Sequence, residues 1–193
     1  MKKGYTLIEV MVAVAIFFSV LAAPTGFFIA SLKSQMRTLA SQELLSQTSY
    51  FLEYISRALR MAKKDKNGSC LGLNSNYMKT NSRTLAGVTY SGPGIKFESY
   101  HDTPICQEIF LDGNDKVLKE SRNGAAPLPL TSGKLEILSF NVGGEESWEQ
   151  YDNLQPKVTL FFEIKGGKNL KPELQPKMKI QTTISQRNLD VTY

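Results

Sequence analysis

The sequence has 193 residues, of which 41% are hydrophobic and 21% are charged. Because domains typically contain about 100 to 150 residues, this length provides for one membrane anchor and one compact domain, and it leaves too few residues for a second large core. The 23 basic and 18 acidic residues give a formal net charge of +5, a modest excess that by itself indicates no extended nucleic-acid surface.

The first predicted element is a long apolar helix. After Lys2, Lys3 and Gly4, an apolar run continues to Leu32 with Glu9 as its only charged side chain. As a helix this run is roughly 40 Å long, against roughly 30 Å of bilayer hydrocarbon, so it predicts a transmembrane helix. Lys2 and Lys3 predict a cytoplasmic N-terminus, with the rest of the chain on the outer side of the inner membrane.

Glu9 is the unusual residue of this helix, because a carboxylate at the centre of a bilayer costs about 2.5 to 3.5 kcal/mol and less near the interface. Glu9 therefore requires a partner. Cleavage after Gly4 would create an α-amino group on Tyr5, about one helical turn away, which could pair with Glu9 of the same or of a neighbouring chain. A secretory signal peptide has a shorter apolar region, and a plain uncleaved anchor accounts for the length but not for Glu9.

Residues 4–10, with the sequence Gly-Tyr-Thr-Leu-Ile-Glu-Val, resemble the class III signal of type IV pilins and pseudopilins. The resemblance implies that a prepilin peptidase cuts between Gly4 and Tyr5 and methylates the new amine of Tyr5. It also implies that Glu9 guides the subunit into a helical filament, with other pilin or pseudopilin subunits and an inner-membrane assembly platform as partners. The family usually has Phe where this sequence has Tyr5, so an aromatic side chain is kept.

The second half of the helix is predicted to be amphipathic, with a polar side between residues 33 and 64. Apolar residues recur there at spacings of mostly three or four, with Thr48 filling one gap. The predicted stripe consists of Leu32, Met36, Leu39, Leu45, Leu52, Ile55 and Leu59. Pro24 and Gly26 predict a kink or loosening within the apolar half, and a run of basic residues before Asn67 and Gly68 predicts that the helix ends near Lys64.

Beyond the helix the pattern becomes alternating, which is typical of strands. Residues 69–83 are predicted to form an irregular loop, and turns are predicted at residues 91–94 and 112–115. Segments rich in Val, Ile, Phe, Tyr and Thr predict strands at residues 84–90, 95–100, 105–111, 116–120, 134–142, 157–165 and 177–186.

These elements predict an α+β fold, in which a long N-terminal helix packs on an antiparallel β-sheet. Phe97, Ile180, Thr182 and Ile184 are among the residues that could face the helix. The resemblance implies the same pilin-like architecture. The predicted organisation is a leader at residues 1–4, a transmembrane and assembly helix at 5–32, an amphipathic helix at 33–64 and an extracytoplasmic β-rich domain at 65–193.

The two cysteines, Cys70 and Cys106, fall in the predicted outer domain, where a disulfide is the expected state and two free thiols are the alternative. A zinc site would need carboxylates as well, because His101 is the only histidine. The same scarcity of imidazole leaves a Ser or Cys nucleophile without a credible base. We therefore expect no catalytic residues, no metal and no cofactor.

Two charged clusters have alternative interpretations. The acidic residues Glu145, Glu146, Glu149 and Asp152 are interpreted as a solvated loop, with calcium binding as the alternative, although their spacing does not match an EF-hand. A basic tract could meet the phosphates of DNA, but lysines also protect sheet edges from aggregation. The tract consists of Lys165, Lys168, Lys171, Lys177 and Lys179.

The spacing of the C-terminal strands, which ends in Ser185-Gln186-Arg187-Asn188, resembles minor pilins and J-type minor pseudopilins. The resulting hypothesis is a non-enzymatic, low-abundance filament subunit that leaves membrane lipid to join a type IV pilus or a type II secretion pseudopilus, in initiation or at the tip. A single-pass anchored binding domain and a DNA-uptake pilin are the alternatives.

Overall fold

The architecture is that of a computed structural model, which describes residues 4–99, 104–149 and 154–187. The chain forms two compact units, Met1–Leu39 and Ala40–Tyr193. The long helix α1, Leu7–Arg60, contributes to both and includes Pro24 without interruption. The α+β class with a long N-terminal helix and antiparallel strands is confirmed.

In the first unit, the apolar run of α1 leaves its large side chains exposed. Their exposed fractions lie between 40% for Leu32 and 79% for Leu7 and Phe27. A helix with apolar residues on all sides is stable only where lipid or other protein surrounds it. This unit therefore carries an apolar surface that its own residues do not cover.

The second unit contains two antiparallel sheets rather than the single sheet that the sequence predicts. The strands of the first are β1 (Ala62–Lys63), β2 (Tyr77–Leu85), β3 (Val88–Ser99), β4 (Ile105–Leu111), β5 (Leu118–Arg122) and β6 (Leu128–Pro129). Those of the second are β7 (Glu136–Gly143), β8 (Lys157–Lys165) and β9 (Lys177–Ser185). The first sheet has the order β1-β3-β4-β5-β6, with β2 also paired to β3, and the second has the order β7-β8-β9.

The helix ends at Arg60, four residues before the predicted end at Lys64. Ala62 is fully buried and pairs with Ser99 of β3. The backbone of residues 62 and 63 thus gains sheet hydrogen bonds, so tertiary pairing prevails over the basic residues that would favour one more helical turn.

The predicted loop at residues 69–83 is wrong in part, and the predicted turn at 91–94 is wrong because these residues lie within strand β3. Strand β2 begins at Tyr77, and the chain reverses at Ala86 and Gly87, which both have positive φ. Gly92 lies within β3. A residue with a side chain would not fit at this position, because its Cβ would collide with the Leu111 carbonyl. This glycine permits close backbone approach and marks no chain reversal. The predicted turn at residues 112–115 does lie between β4 and β5.

Helix α1 packs on the sheets through a buried stripe that shares only Thr48, Ile55 and Leu59 with the predicted one. Its buried positions are Ala40, Leu44, Thr48, Phe51, Ile55 and Leu59. Leu45 is half-exposed, and Leu32, Met36 and Leu39 are exposed, so this part of the prediction is wrong.

The core joins α1 to both sheets. The Phe51 ring packs edge-on against Phe162 of β8 at a centroid distance of 5.6 Å, and Phe162 stacks on Phe140 of β7 at 4.9 Å. On the other side, the Tyr54 hydroxyl donates to Glu120 of β5 at 2.6 Å. Phe97 and Ile184 belong to this core, whereas Ile180 and Thr182 are half-buried.

Candidate processing and assembly site

The segment that carries the predicted cleavage and assembly residues begins just before α1. Gly4, Tyr5 and Thr6 precede the helix, and the backbone N–H groups of Glu9 and Val10 donate to the Thr6 carbonyl at 3.1 and 3.3 Å. The Thr6 hydroxyl oxygen also accepts from the Glu9 N–H at 3.4 Å. Thr6 is therefore the N-cap residue, and Gly4 and Tyr5 form an extension outside the helix.

Glu9 occupies the third position of the helix, three residues after its cap. A Thr-x-x-Glu sequence in this position is a capping box, and a carboxylate in the first turn interacts favourably with the helix dipole. Sequence reasoning treated Glu9 as a misplaced charge and missed Thr6, although the spacing of the two residues is a recognisable N-terminal signal. The capping position explains where Glu9 sits but does not neutralise its charge.

Glu9 is exposed, and no cation pairs with its carboxylate in the described part of the chain. Lys2 and Lys3 lie outside the described residues. The carboxylate is thus available for a cation that another chain or the processed N-terminus would provide.

The helix that follows satisfies its polar groups internally. The Ser19 hydroxyl donates to the Ala15 carbonyl at 2.8 Å, and the Thr25 hydroxyl donates to the Leu21 carbonyl at 2.9 Å. The second bond lies beside Pro24, which has no N–H to donate. These bonds let a hydroxyl side chain enter hydrocarbon without an unsatisfied donor. Among the described helices, α1 is long and apolar enough to cross a membrane.

Residues 1–23 match the family described as "Prokaryotic N-terminal methylation motif". This motif, which covers 23 of the 193 residues, supports a type IV pilin or pseudopilin precursor. No curated protein and no solved structure matches the chain. The motif and the long apolar helix near the N-terminus fit a membrane-anchored pilin that undergoes prepilin processing.

In the second unit, Cys70 and Cys106 form a disulfide. It connects the loop after α1 to β4, across a sequence separation of 36 residues. The loop itself is organised by Asp65, a fully buried residue whose role the sequence does not reveal.

The Asp65 carboxylate accepts four backbone N–H bonds, at 2.6 to 3.2 Å, from Asn67, Ser69, Cys70 and Leu71. Burial on its own raises the pKa of Asp65, but the backbone donors outweigh it, and the net pKa is lowered. The charged carboxylate therefore holds the loop in the conformation that brings Cys70 to Cys106.

The acidic loop of the second unit is partly neutralised by lysines. Glu145 pairs with Lys79 at 2.8 Å, and Glu146 pairs with Lys157 at 3.4 Å. Among the described residues, no group of three His, Cys, Asp or Glu side chains could hold a metal ion. Asp152, which the calcium alternative also used, lies outside the described residues.

The predicted basic tract is dispersed. Lys165 pairs with Glu136 at 3.2 Å, and Lys179 lies 3.9 Å from Glu163, while Lys168, Lys171 and Lys177 are exposed. His101 lies outside the described residues. The structure thus joins Cys70 to Cys106, and separately it places Gly4, Tyr5 and Glu9 at the start of α1. The five lysines of the tract do not form a continuous basic surface.

Proposed function

We propose that the protein is a minor subunit of a type IV pilus or of a type II secretion pseudopilus, acting in filament initiation or at the tip. The observation that carries this proposal is an apolar N-terminal helix whose large side chains from Leu7 to Leu32 are 40% to 79% exposed. Its first turn contains Glu9, which lies within the methylation motif of residues 1–23 and has no cation partner among the described residues. The resemblance of the C-terminal strands to J-type subunits supports the minor role.

Processing would remove residues 1–4 by cleavage between Gly4 and Tyr5, with methylation of the Tyr5 amine. Residues 5–32 would then form the transmembrane and assembly helix, residues 33–64 would pack on the sheets, and residues 65–193 would form the outer domain. In the unprocessed precursor, Lys2 and Lys3 would hold the N-terminus on the cytoplasmic side of the membrane.

Assembly would replace lipid contacts of α1 with contacts to neighbouring helices at the inner-membrane platform. Because lipid is as apolar as these side chains, the exchange gives little hydrophobic gain, and specific polar contacts decide the position of each subunit. The carboxylate of Glu9 and the new cation of Tyr5 are such groups, since each is costly in hydrocarbon alone and less costly when paired.

Two substitutions of Glu9 test this mechanism, because they separate its capping role from its charge. Gln also completes a capping box, so Glu9→Gln keeps the cap and removes the charge, whereas Glu9→Ala removes both. If pairing drives assembly, both variants are processed normally, and both are incorporated into filaments at least about tenfold less well, which corresponds to about 1.4 kcal/mol. Normal incorporation of Glu9→Gln would refute the pairing mechanism.

Processing is tested by mass spectrometry of the chain from cells with an active prepilin peptidase. A mature chain that starts at N-methylated Tyr5 supports the proposal. An intact leader in the same cells would instead support a single-pass anchored binding domain. The minor role is tested by measuring the subunit's share of purified filaments, since a share comparable to that of the main subunit contradicts it.

A further inference from the structure

The outer edge of β9 is open. In the three-stranded sheet β9 pairs with β8 alone, and among the described strands none pairs with its other side. An open edge presents a row of unpaired backbone N–H and C=O groups, which can accept a further strand.

The direction of these groups follows from two hydrogen bonds that flank β9. The Gly166 N–H donates to the Pro176 carbonyl, and the Gln186 N–H donates to the Pro156 carbonyl, both at 2.9 Å. In an antiparallel ladder, hydrogen-bonded residue pairs alternate with pairs that are not hydrogen-bonded. The backbones of the even-numbered residues of β9 are therefore hydrogen-bonded to β8. The N–H and C=O groups of the odd-numbered positions, including Thr183, therefore point to the open edge.

Arg187, the next odd-numbered residue after β9, shows that the open edge faces the end of α1. The N–H of Arg187 donates to the carbonyl of Arg60, the last residue of α1, at 2.9 Å. The end of the helix thus lies beside the end of the strand, and it closes the edge only at this one position.

Between the edge and the helix lies a groove of about 810 Å³, which is within the range of roughly 300 to 1,000 Å³ of small-ligand sites. Helix α1 and the residue after it form one wall, and β9 with Arg187 forms the other. The lining residues are Glu53, Ser56, Arg57, Arg60, Met61, Thr183, Ser185 and Arg187.

The groove has an excess of positive charge, with three guanidinium groups against one carboxylate. Arg57 pairs with Glu53 at 2.7 Å, so this pair is internally neutral. The guanidinium groups of Arg60 and Arg187 have no ion-pair partner among the described residues, although their backbones are hydrogen-bonded to each other. Two neighbouring unpaired cations favour an anionic partner between them.

The two ends of the strand edge differ. Lys177 and Lys179 lie on the first half of β9, where charged side chains discourage pairing with another strand. Thr183 and Ser185, in the second half, are exposed and carry short uncharged side chains. The part of the edge that lacks protective charge is thus the part beside the arginines.

We propose that this groove binds an extended, carboxylate-bearing segment of a partner protein by β-strand addition. The backbone of the segment pairs with the outward N–H and C=O groups of Thr183 and Ser185, and its carboxylates meet Arg60 and Arg187. Main-chain hydrogen bonds provide affinity in this mode of recognition, and the side chains that flank them select the sequence. The site is additional to the N-terminal assembly helix and does not depend on it.

The test uses the full chain in detergent micelles and a fluorescent nine-residue peptide that alternates Thr or Val with Asp or Glu. Fluorescence anisotropy should show saturable binding that weakens as salt increases. A peptide with Lys in place of the acidic residues, and an acidic peptide with N-methylated backbone amides, should bind at least about tenfold more weakly, since one loses charge pairing and the other loses backbone donors.

Variants of the protein separate the two contacts. Arg60→Glu with Arg187→Glu should lower affinity about tenfold, whereas Lys171→Glu, at an exposed position outside the groove, should leave it unchanged. Thr183→Pro and Thr183→Val both lose the 3.0 Å hydrogen bond between the hydroxyls of Thr183 and Thr159 of β8. Only Thr183→Pro also removes an outward backbone N–H, so it should weaken binding about tenfold, whereas Thr183→Val should not.

Equal binding of the Lys peptide, or of the N-methylated peptide, would overturn the proposal; the peptide comparison holds even if Thr183→Pro fails to fold. A DNA oligonucleotide that displaces the peptide and binds Thr183→Pro normally would indicate an electrostatic nucleic-acid surface instead. Tighter peptide binding by a chain ending at Arg187 would indicate that residues 188–193 occupy the groove, which also contradicts an intermolecular partner.

Discussion

Leu44→Ala and Leu45→Ala form a matched pair that tests which face of α1 packs on the sheets. Leu44 is 2% exposed and lies so close to Gly166 that a methyl group there would be 3.1 Å from its Cβ, whereas Leu45 is 52% exposed. Each substitution removes three carbons, about 2.4 kcal/mol if all are buried. With the cavity left beside Gly166, Leu44→Ala should cost about 3 kcal/mol of unfolding free energy.

Leu45→Ala should cost less than about 1 kcal/mol, since about half of the side chain is already in solvent and Ala is the better helix former. The measurement is urea unfolding of the full chain in detergent, followed by fluorescence of Trp148, the single tryptophan, which lies in the core. Equal losses in the two variants, or a larger loss for Leu45→Ala, would refute the packing described for α1.

Three further predictions concern polar and covalent contacts of the second unit. Because the pKa of Asp65 is lowered by folding, its contribution to stability is present above the unfolded pKa of about 3.9 and is lost as the pH falls through the lower folded value. Asp65→Asn should remove this pH dependence and cost about 2 to 4 kcal/mol at pH 7. Reduction of the Cys70–Cys106 disulfide should lower the unfolding free energy by about 3 to 4 kcal/mol, by the chain-entropy relation for its loop. Arg83→Met should cost about 3 to 5 kcal/mol, because it leaves the buried Glu108 without its 2.8 Å partner, while the double variant with Glu108→Leu should recover most of the loss.

Each of these predictions has a control in the same unfolding assay. Asp115→Asn, at an exposed carboxylate, should change stability by less than about 0.5 kcal/mol and leave the acid side of the pH profile intact. Cys70→Ser with Cys106→Ser should reproduce the effect of reduction, and a much smaller loss would contradict the role of the disulfide. If the stability losses of Arg83→Met and Glu108→Leu simply add in the double variant, the two charges are not coupled.

The sequence predicts the apolar N-terminal segment of the chain well because one simple constraint dominates it. A span of apolar residues must be helical in a bilayer, so residues 7–32 needed no knowledge of tertiary contacts. The methylation motif is likewise contiguous. The strands β8 and β9 also follow directly from alternating patterns, since side chains on one face of each strand are more buried than those on the other.

The wrong predictions concern residues whose role depends on distant neighbours. The predicted stripe through Leu39 and Leu45 treated these apolar residues of α1 as facing the sheets, but both side chains are exposed. Helical spacing alone does not show where along α1 the contact with the sheets begins. Gly92 was interpreted as a turn residue because glycine is common there, whereas it permits the approach of Leu111 from β4, which sequence spacing does not show. The reversal at Ala86 and Gly87 lacks the Asn or Asp that usually marks such a turn.

Glu9 and Asp65 show why a carboxylate can be interpreted from the sequence in one place and not in another. Glu9 stands out because its neighbours along the chain are apolar, whereas Asp65 lies among lysines and other polar residues and looks like a surface side chain. In the fold the relation is reversed, since Asp65 is buried with four backbone donors and Glu9 is exposed with no cation beside it in the described chain. The sequence shows the composition around a charge but not the direction of the N–H groups. A carboxylate that its own chain satisfies stabilises the fold, and one that its own chain leaves unpaired in an apolar helix is explained best by a contact with another chain.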